Sequence, residues 1–328
     1  MLRCGGCDID MSADPGQGSS LVVDRYEPLL GTTVEIRIEL SGEGREREAD
    51  VLSEAMVDEI VRLQSVFSSV DPTSEFRRWA SGEVVEPSAE LTEVLALAAC
   101  WQQRSAGRFT PAVGALSAVW QEAERTGALP DQECLDAVVT NIARPRWTVV
   151  DGVVTRLADA SDCTLNALAK GWIADSVLHL AEELAPDGCE LLCVNAGGDL
   201  AHRGARSLIV GIEDPFRPVD NLPPIATVEL RDCGLATSGG SRRWFEIDGR
   251  RRSHVLDPRT GQPVDHLASI SVVAADCATA DVLCTTLGLL HPDEAIAEAD
   301  AYEVACLIID AGGFRFANTA WSVMERLS

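Results

Sequence analysis

Asp281 and Thr285 stand four residues apart in ADVLCTT, just beyond Asp276, a residue type suited to cap a helix N-terminus. On a helix that spacing stacks the carboxylate and the hydroxyl on one face. Together they make half of an oxygen-donor site of the kind a hard cation takes. Upstream lies SHVLDPRTGQPV, where His254 precedes the turn Asp257-Pro258-Arg259-Thr260-Gly261. Pro presets φ there, Asp can bond the backbone ahead of it, and Gly tolerates positive φ. Each feature alone has an ordinary explanation. The turn is a good turn, an Asp/Thr pair is commonly a solvated helix face, and a histidine beside a strand is commonly a satisfied core residue.

Lys170 is the only lysine among the 27 Lys and Arg residues of the chain. An ammonium is a compact charge suited to a phosphate, whereas Arg presents a planar fork. Lys170 falls near the start of a long amphipathic stretch, Thr164 to Leu184. A cation there opposes the helix dipole unless an anion sits beside it. Two glycine-rich turns follow apolar runs, Asn195-Ala196-Gly197-Gly198-Asp199 and Ala236-Thr237-Ser238-Gly239-Gly240. Paired glycines let a backbone or ligand approach closely, and a hydroxyl-rich turn can present donors to phosphate. Neither is GxGxxG, so the doubly wound dinucleotide fingerprint is absent.

These groups need a scaffold, and 328 residues with 46% hydrophobic content suffice for a sizeable core. The formal charge of −25 argues against a nucleic-acid groove or an anionic membrane surface as partner. No apolar run approaches the ~18 residues a membrane span needs. The eleven cysteines are scattered and odd in number, which points to a reducing compartment. Cys100, Cys193, Cys284 and Cys306 sit among apolar residues, as buried cysteines do. Cys4 and Cys7 form a lone CxxC without a second pair. The first ~20 residues lack the apolar region of a signal peptide and read as a flexible tail, with Met11 a second candidate start. A cytoplasmic protein is the expectation.

From Leu21 to Leu40 two strands flank Gly31, and Val34, Ile36, Ile38 and Leu40 alternate with polar residues. Glu46 to Ser69 has helical spacing of apolar residues, broken by the loop that carries Val70. A helix is expected from Leu91 to Arg104, then a turn at Gly107-Arg108-Phe109-Thr110-Pro111 opening another helix through Trp120. Trp147 to Leu157 reads as a hairpin about Asp151-Gly152, and Phe245 to Arg250 as one about Asp248-Gly249. Strands are expected at Leu191 to Val194, Leu208 to Ile212, Ala226 to Leu230, Ile270 to Ala274, Val304 to Ile309 and Phe314 to Ala317. A further helix is expected at Pro292 to Ala299. Strands and helices mix without regular βαβ alternation, so the class is α+β with a mostly antiparallel sheet.

The ordered set GTT, GRFTPAVGALSAVW, NALAKGWIAD, VNAGGDL, ATSGG, HVLDPRTGQP and ADVLCTT resembles the FAD:protein FMN transferase family, the ApbE-like flavin transferases. The resemblance runs from about Leu30 to Leu290. It implies one T-fold-related globular unit over residues 21–328, with helices packed on the sheet. It also implies a Mg2+-dependent enzyme that moves the FMN half of FAD onto a threonine hydroxyl of a flavoprotein and releases AMP. The acceptor threonine would sit in a D-x-x-T-[GS]-A-[TS] motif, which this chain itself lacks. On the family pattern the metal rests on the side chains of Asp281 and Thr285 and the carbonyl of Ala167. His254 is the base, and Lys170 contacts the cofactor. Leu30, Val70, Arg108, Phe109, Thr110, Thr164 and Val255 line the FAD pocket, with Asp199 and Ser238 in matching motifs.

The sequence departs from that pattern in places. Leu30 stands for the usual Met, Val70 for an aromatic, and Thr110 and Thr164 for acidic residues. These changes remove a stacking ring and two carboxylates from the expected FAD contacts. Two other readings therefore stand beside the transferase. One is a Mg2+-dependent FAD pyrophosphatase, with water replacing the threonine. The other is a flavin-binding protein without turnover, against which the intact Asp281, Thr285 and His254 argue.

Overall fold

The computed structural model describes residues 7–9, 18–217, 222–240 and 244–326. Cys4, Met11 and the side chain of Cys7 lie outside them. Within the stretch read as a tail, Cys7–Ile9 forms strand β1. β2 (Ser19–Leu29) and β3 (Thr32–Ser41) then make a hairpin whose two-residue turn, Leu30–Gly31, has positive φ at both positions. That turn type matches the twist of the strands. Gly31 adopts it without strain. Leu30 does not, and its N–H is held at 2.7 Å by Gln64 Oε1 of α1 (Glu46–Phe67).

Next come α2 (Glu75–Ser81) and α3 (Ala89–Arg104), capped by the Ser74 and Ser88 side chains. A 3-10 turn leads into α4 (Gly114–Thr126), followed by α5 (Gln132–Ile142). The hairpin of β4 (Trp147–Val150) and β5 (Val153–Arg156) turns at Asp151-Gly152, as the sequence indicates. α6 (Asn166–Leu184) precedes a run of strands: β6 (Cys189–Ala196), β7 (Asp199–Arg203), β8 (Leu208–Ile212), β9 (Ala226–Leu230) and β10 (Gly234–Gly239). A second hairpin, β11 (Trp244–Ile247) and β12 (Arg250–Ser253), leads towards β13 (Leu267–Ala274) and α7 (Cys277–Leu287). α8 (Pro292–Ala301), β14 (Ala305–Asp310), β15 (Arg315–Ala317) and α9 (Thr319–Met324) complete the described chain.

The eight strands β15-β14-β13-β10-β7-β6-β3-β2 form one sheet with every pairing antiparallel. Val34, Ile36, Ile38 and Leu40 of β3, with Val194, Ala236, Ile270 and Val272, face the helices α1, α6 and α7. Burying each of the four β3 side chains contributes about 2 kcal/mol. A one-residue slip would put Glu35, Arg37 and Glu39 in their place, which fixes the register. Leu191, Cys193, Leu200, Leu235, Val273, Leu307 and Ile309 point the other way. They pack under the small sheet β1-β8-β9 and Trp321 of α9. The molecule is α+β, as the sequence indicates. Among the described residues no helix is long and apolar enough to cross a membrane.

Four local expectations are corrected. Ala236–Gly239 lies in the paired interior strand β10 rather than a turn. Its small residues let α7 come close, since a Cβ on Gly234 would collide with the Cys277 nitrogen. The short apolar stretch His254–Leu256, which reads as a strand ahead of the Asp257–Gly261 turn, forms only a single bridge between Leu256 and Pro263. α6 starts at Asn166, not Thr164, and departs from helical torsions at Ala167 (φ −90°, ψ 20°). Cys193, Cys284 and Cys306 are buried as expected, but Cys100 is exposed on α3.

Candidate functional site

The start of α6 is where the candidate residues meet. Gly171 allows this: a Cβ there would stand 2.6 Å from the Cys277 carbonyl oxygen and 2.7 Å from the Ala278 Cα. With hydrogen in its place, α6 rests directly on the first turn of α7. Asp175, one turn further along α6, accepts the N–H groups of Cys277 and Ala278 at 2.9 Å each. Asp276 caps the same helix by accepting the Thr279 N–H at 2.7 Å. Two acids at a helix N-terminus suit its dipole. Burial nevertheless raises the Asp175 pKa to about 6, against the pull of its two backbone donors.

Asp281 lies one turn into α7 and is 7% exposed. Burial pushes its pKa up, while the Lys170 charge and a hydrogen bond from the Gly171 N–H pull it down. Its Oδ2 is buried with no hydrogen-bond partner. A carboxylate oxygen in that state costs free energy until a donor or cation reaches it. In a regular helix the Gly171 N–H would bond the Ala167 carbonyl, and Ala167 is where α6 loses helical torsions. Thr285, half-buried, follows Asp281 one turn along α7. The unsatisfied carboxylate, the hydroxyl and the off-helix carbonyl are all hard oxygen donors and fit Mg2+. Among the described residues no three His, Cys, Asp or Glu side chains gather as a metal cage. A cation held by one carboxylate and neutral oxygens would keep positions open for water or phosphate oxygens, which is usual for Mg2+. Cys277, beside this group, is a packing residue: full burial pushes its thiol pKa well up, so it is no nucleophile.

Lys170 forms an ion pair with Asp199 at the start of β7. Asp199 is buried, and Lys170 keeps about a third of its side chain exposed. The Asn195–Asp199 turn is fixed by the Gly198 N–H donating 3.0 Å to Asn195 Oδ1. Gly197 there lies so close to Thr32 that a side chain would strike its hydroxyl, which is buried and unpartnered. Thr32 follows the Leu30–Gly31 turn, so two glycine turns abut. In β10, Ala236 is opposite Asp199 and the Thr237 N–H donates to the Gly198 carbonyl at 3.1 Å. Ser238 comes next, opposite Ile270 of β13.

Two hydrogen bonds bring the remaining candidates to α6. The Thr164 N–H donates to the Pro111 carbonyl at 2.8 Å, and the Leu165 N–H to Ser69 Oγ at 3.2 Å. They attach the Arg108–Pro111 segment and the loop of Val70. Arg108 pairs with Glu298 of α8 and has a buried, unpartnered Nε. Phe109 is in the core. Thr110 Oγ1 accepts the Ala112 N–H at 3.3 Å and donates to the Ile142 carbonyl at 3.0 Å, as a capping residue does. Val70 is 88% exposed. His254, half-buried, lies just past β12, and the Val255 carbonyl accepts the Val264 N–H at 2.9 Å. A Cβ on Gly240 would stand 3.2 Å from Ser253 Oγ, so this segment adjoins the end of β10.

The structure thus unites Asp281, Ala167, Lys170, Asp199 and the β10 strand, and ties Thr164 to the Arg108–Thr110 segment. It sets Phe109 and Thr110 inside and Val70 outside. Sequence reasoning missed Gln64, Asp175 and Glu298, which serve their partners across long sequence separations. Only Asp175 left a local trace, one helical turn after the glycine of NALAKGWIAD.

Proteins of known name and structure resemble this chain. A FAD:protein FMN transferase of Vibrio cholerae serotype O1 (strain ATCC 39541 / Classical Ogawa 395 / O395) is 28% identical over 306 residues, covering 90% of each chain. One from Escherichia coli K12 is 27% identical over 275 residues, covering 79% of this chain and 76% of the relative. The crystal structure of the ApbE protein of Thermotoga maritima superposes with a TM-score of 0.80 at 24% identity, covering 94% of this chain and all of that one. The flavin transferase ApbE of V. cholerae superposes at 0.71 with 21% identity, covering 93% and 99%. At such identities these structures speak for the fold. The family model for the ApbE family matches residues 30–308, a span that holds every candidate residue from Leu30 to Thr285, and the chain belongs to that family.

Proposed function

We propose that this chain transfers the FMN half of FAD to a threonine hydroxyl of another flavoprotein, depends on Mg2+, and releases AMP. The observation that carries the reading is the buried, unpartnered Oδ2 of Asp281 beside the off-helix Ala167 and the Lys170–Asp199 pair. It is supported by the transferase names of the V. cholerae and E. coli relatives.

Transfer forms a bond from the threonine Oγ to the flavin-side phosphorus. The pyrophosphate bond breaks, and the bridging oxygen leaves with AMP. When bound, Mg2+ would neutralise charge on the pyrophosphate oxygens. Asp281 Oδ2, Thr285 Oγ1 and the Ala167 carbonyl would hold it. Lys170, kept in place by Asp199, has enough exposure to meet a phosphate oxygen. Ser238 at the end of β10 and the glycine turn before Asp199 allow the backbone to approach the same group. His254 takes the threonine proton, the role an imidazole fills as a general base. Leu30, Val70, Arg108, Phe109, Thr110, Thr164 and Val255 are assigned to the FAD pocket on the family pattern. The strained Leu30 backbone and the buried Arg108 Nε are consistent with that assignment.

AMP release from FAD, followed with and without Mg2+ and with and without an acceptor domain carrying D-x-x-T-[GS]-A-[TS], tests the reading. Release that needs both supports it. Release that ignores the acceptor would make the chain a pyrophosphatase, and FAD binding without release would make it a binding protein.

A further inference from the structure

We infer that Trp120 is a positioning residue for His254, acting as one half of a clamp on α4; the inference rests on the transferase reading above. His254 lies in a short segment between β12 and the turn that ends at Gly261, with only the Leu256–Pro263 bridge as regular pairing. Next to His254, the Ser253 N–H donates to Asp265 Oδ1 at 3.0 Å and the Val255 N–H to Ser253 Oγ at 3.1 Å. Trp120, 2% exposed, holds the segment from both sides. Its indole N–H donates to the Gly261 carbonyl at 2.8 Å, which anchors the downstream turn. Its ring stacks on Phe245 of β11, with centroids 6.2 Å apart and planes at 29°. β11 in turn carries β12, Trp244 standing opposite Ser253, the residue before His254.

Glu124, one helical turn after Trp120 on the same face of α4, accepts the Glu246 N–H at 2.8 Å and fixes β11 a second time. The turn itself is seated against α5. Gly261 has φ of +73°, and a Cβ there would stand 3.2 Å from Val139 Cγ2 and 3.4 Å from Leu135 Cδ2. The Gly261 N–H also donates to the Asp257 carbonyl at 2.8 Å. One face of α4 therefore sets the distance between the two ends of the His254 segment. An error of an ångström at a reacting group costs about 10²-fold in rate, so a partial loss of the clamp falls on turnover rather than on FAD binding.

The test is Trp120→Phe, which keeps a ring for Phe245 and deletes the donor to Gly261, made alone and with His254→Ala. Transfer of FMN from FAD to an acceptor domain is measured alongside the His254 imidazole NMR signal. The inference predicts a fall in kcat of about tenfold, a KM for FAD within twofold of wild type, and a shifted or broadened imidazole signal. In the His254→Ala background Trp120→Phe should add no further loss. Glu124→Ala, at an exposed position, should show the same split more weakly and covers the case of a Trp120→Phe chain that does not fold. Unchanged kcat in both variants overturns the inference while leaving the transferase reading intact. Equal proportional losses with and without His254 overturn it as well, since they mark a general structural role. A wild-type protein that transfers no FMN overturns both.

Discussion

Gly171 and Cys277 meet backbone to backbone, so closely that a Cβ on the first would stand 2.6 Å from the carbonyl oxygen of the second. The contact seats the kinked start of α6 on α7, which carries Asp281 one turn further on with its Oδ2 buried and without a partner. The close contact of the two helices and the poised carboxylate share one cause, the missing side chain at residue 171.

Gly171→Ala should therefore damage fold and site together. Its methyl would lie 2.6 Å from the Cys277 carbonyl oxygen, and backbone rather than a flexible side chain would have to yield. Overpacking of this kind costs about 2 kcal/mol. Chemical denaturation should show that loss, with transfer reduced beyond what the folded fraction explains. Wild-type stability would contradict the packing.

Asp281→Asn separates fold from metal. An amide needs no counter-charge, so the apo variant should melt at or above the wild-type temperature. Wild type at Mg2+ a hundredfold above its Kd should gain about 2.7 kcal/mol, and the variant should gain little. Transfer should fall about 10²-fold or more. A Mg2+-dependent melting shift that survives in the variant would move the metal elsewhere.

Lys170→Met leaves the buried Asp199 carboxylate alone, whereas Lys170→Met with Asp199→Asn removes both charges. Leaving a buried charge unpaired is the costly case, and Lys170 is about a third exposed, which softens it. The single variant should lose about 2 kcal/mol, and the double variant should recover most of that. Both should bind FAD more weakly by titration. Unaltered FAD affinity would confine Lys170 to a structural role.

His202 gives the fold a pH dependence of defined sign. It is fully buried, its Nε2 lies 2.9 Å from the Arg206 carbonyl, and its Nδ1 accepts the Asp232 N–H at 3.1 Å. The ring is thus neutral, and burial lowers its pKa from 6.5. A depressed folded pKa means stability that is present above pH 6.5 and lost as pH falls through the folded value. Asp175 works the other way. Its pKa is raised from 3.8 to about 6, so its stabilising contribution is present below pH 3.8 and lost as pH rises through about 6. Melting curves between pH 7.5 and 4 should show His202→Gln less acid-sensitive than wild type and Asp175→Asn more so. Identical slopes would contradict both assignments.

Much of the frame was legible in local sequence. The alternation of β3, the apolar spacing of α1 and the cap at Asp276 each repeat over a few residues, and each formed as read. β10 was misread because Thr237, Ser238 and Gly239 have turn chemistry, while burial between β7 and β13 decides their conformation. The same tertiary override bent α6 at Ala167, inside a sequence of good helix formers. The candidate site residues came from ordered motifs. Their supports did not, since Gln64 serves Leu30 and Glu298 serves Arg108 across separations that no periodicity marks.

Mass spectrometry of an acceptor domain tests the central claim most directly, after incubation with this protein, FAD and Mg2+. The account predicts a gain of one FMN, located on the threonine of the acceptor motif, that disappears with Asp281→Asn. An unmodified acceptor alongside released AMP, or modification that persists in Asp281→Asn, would contradict it.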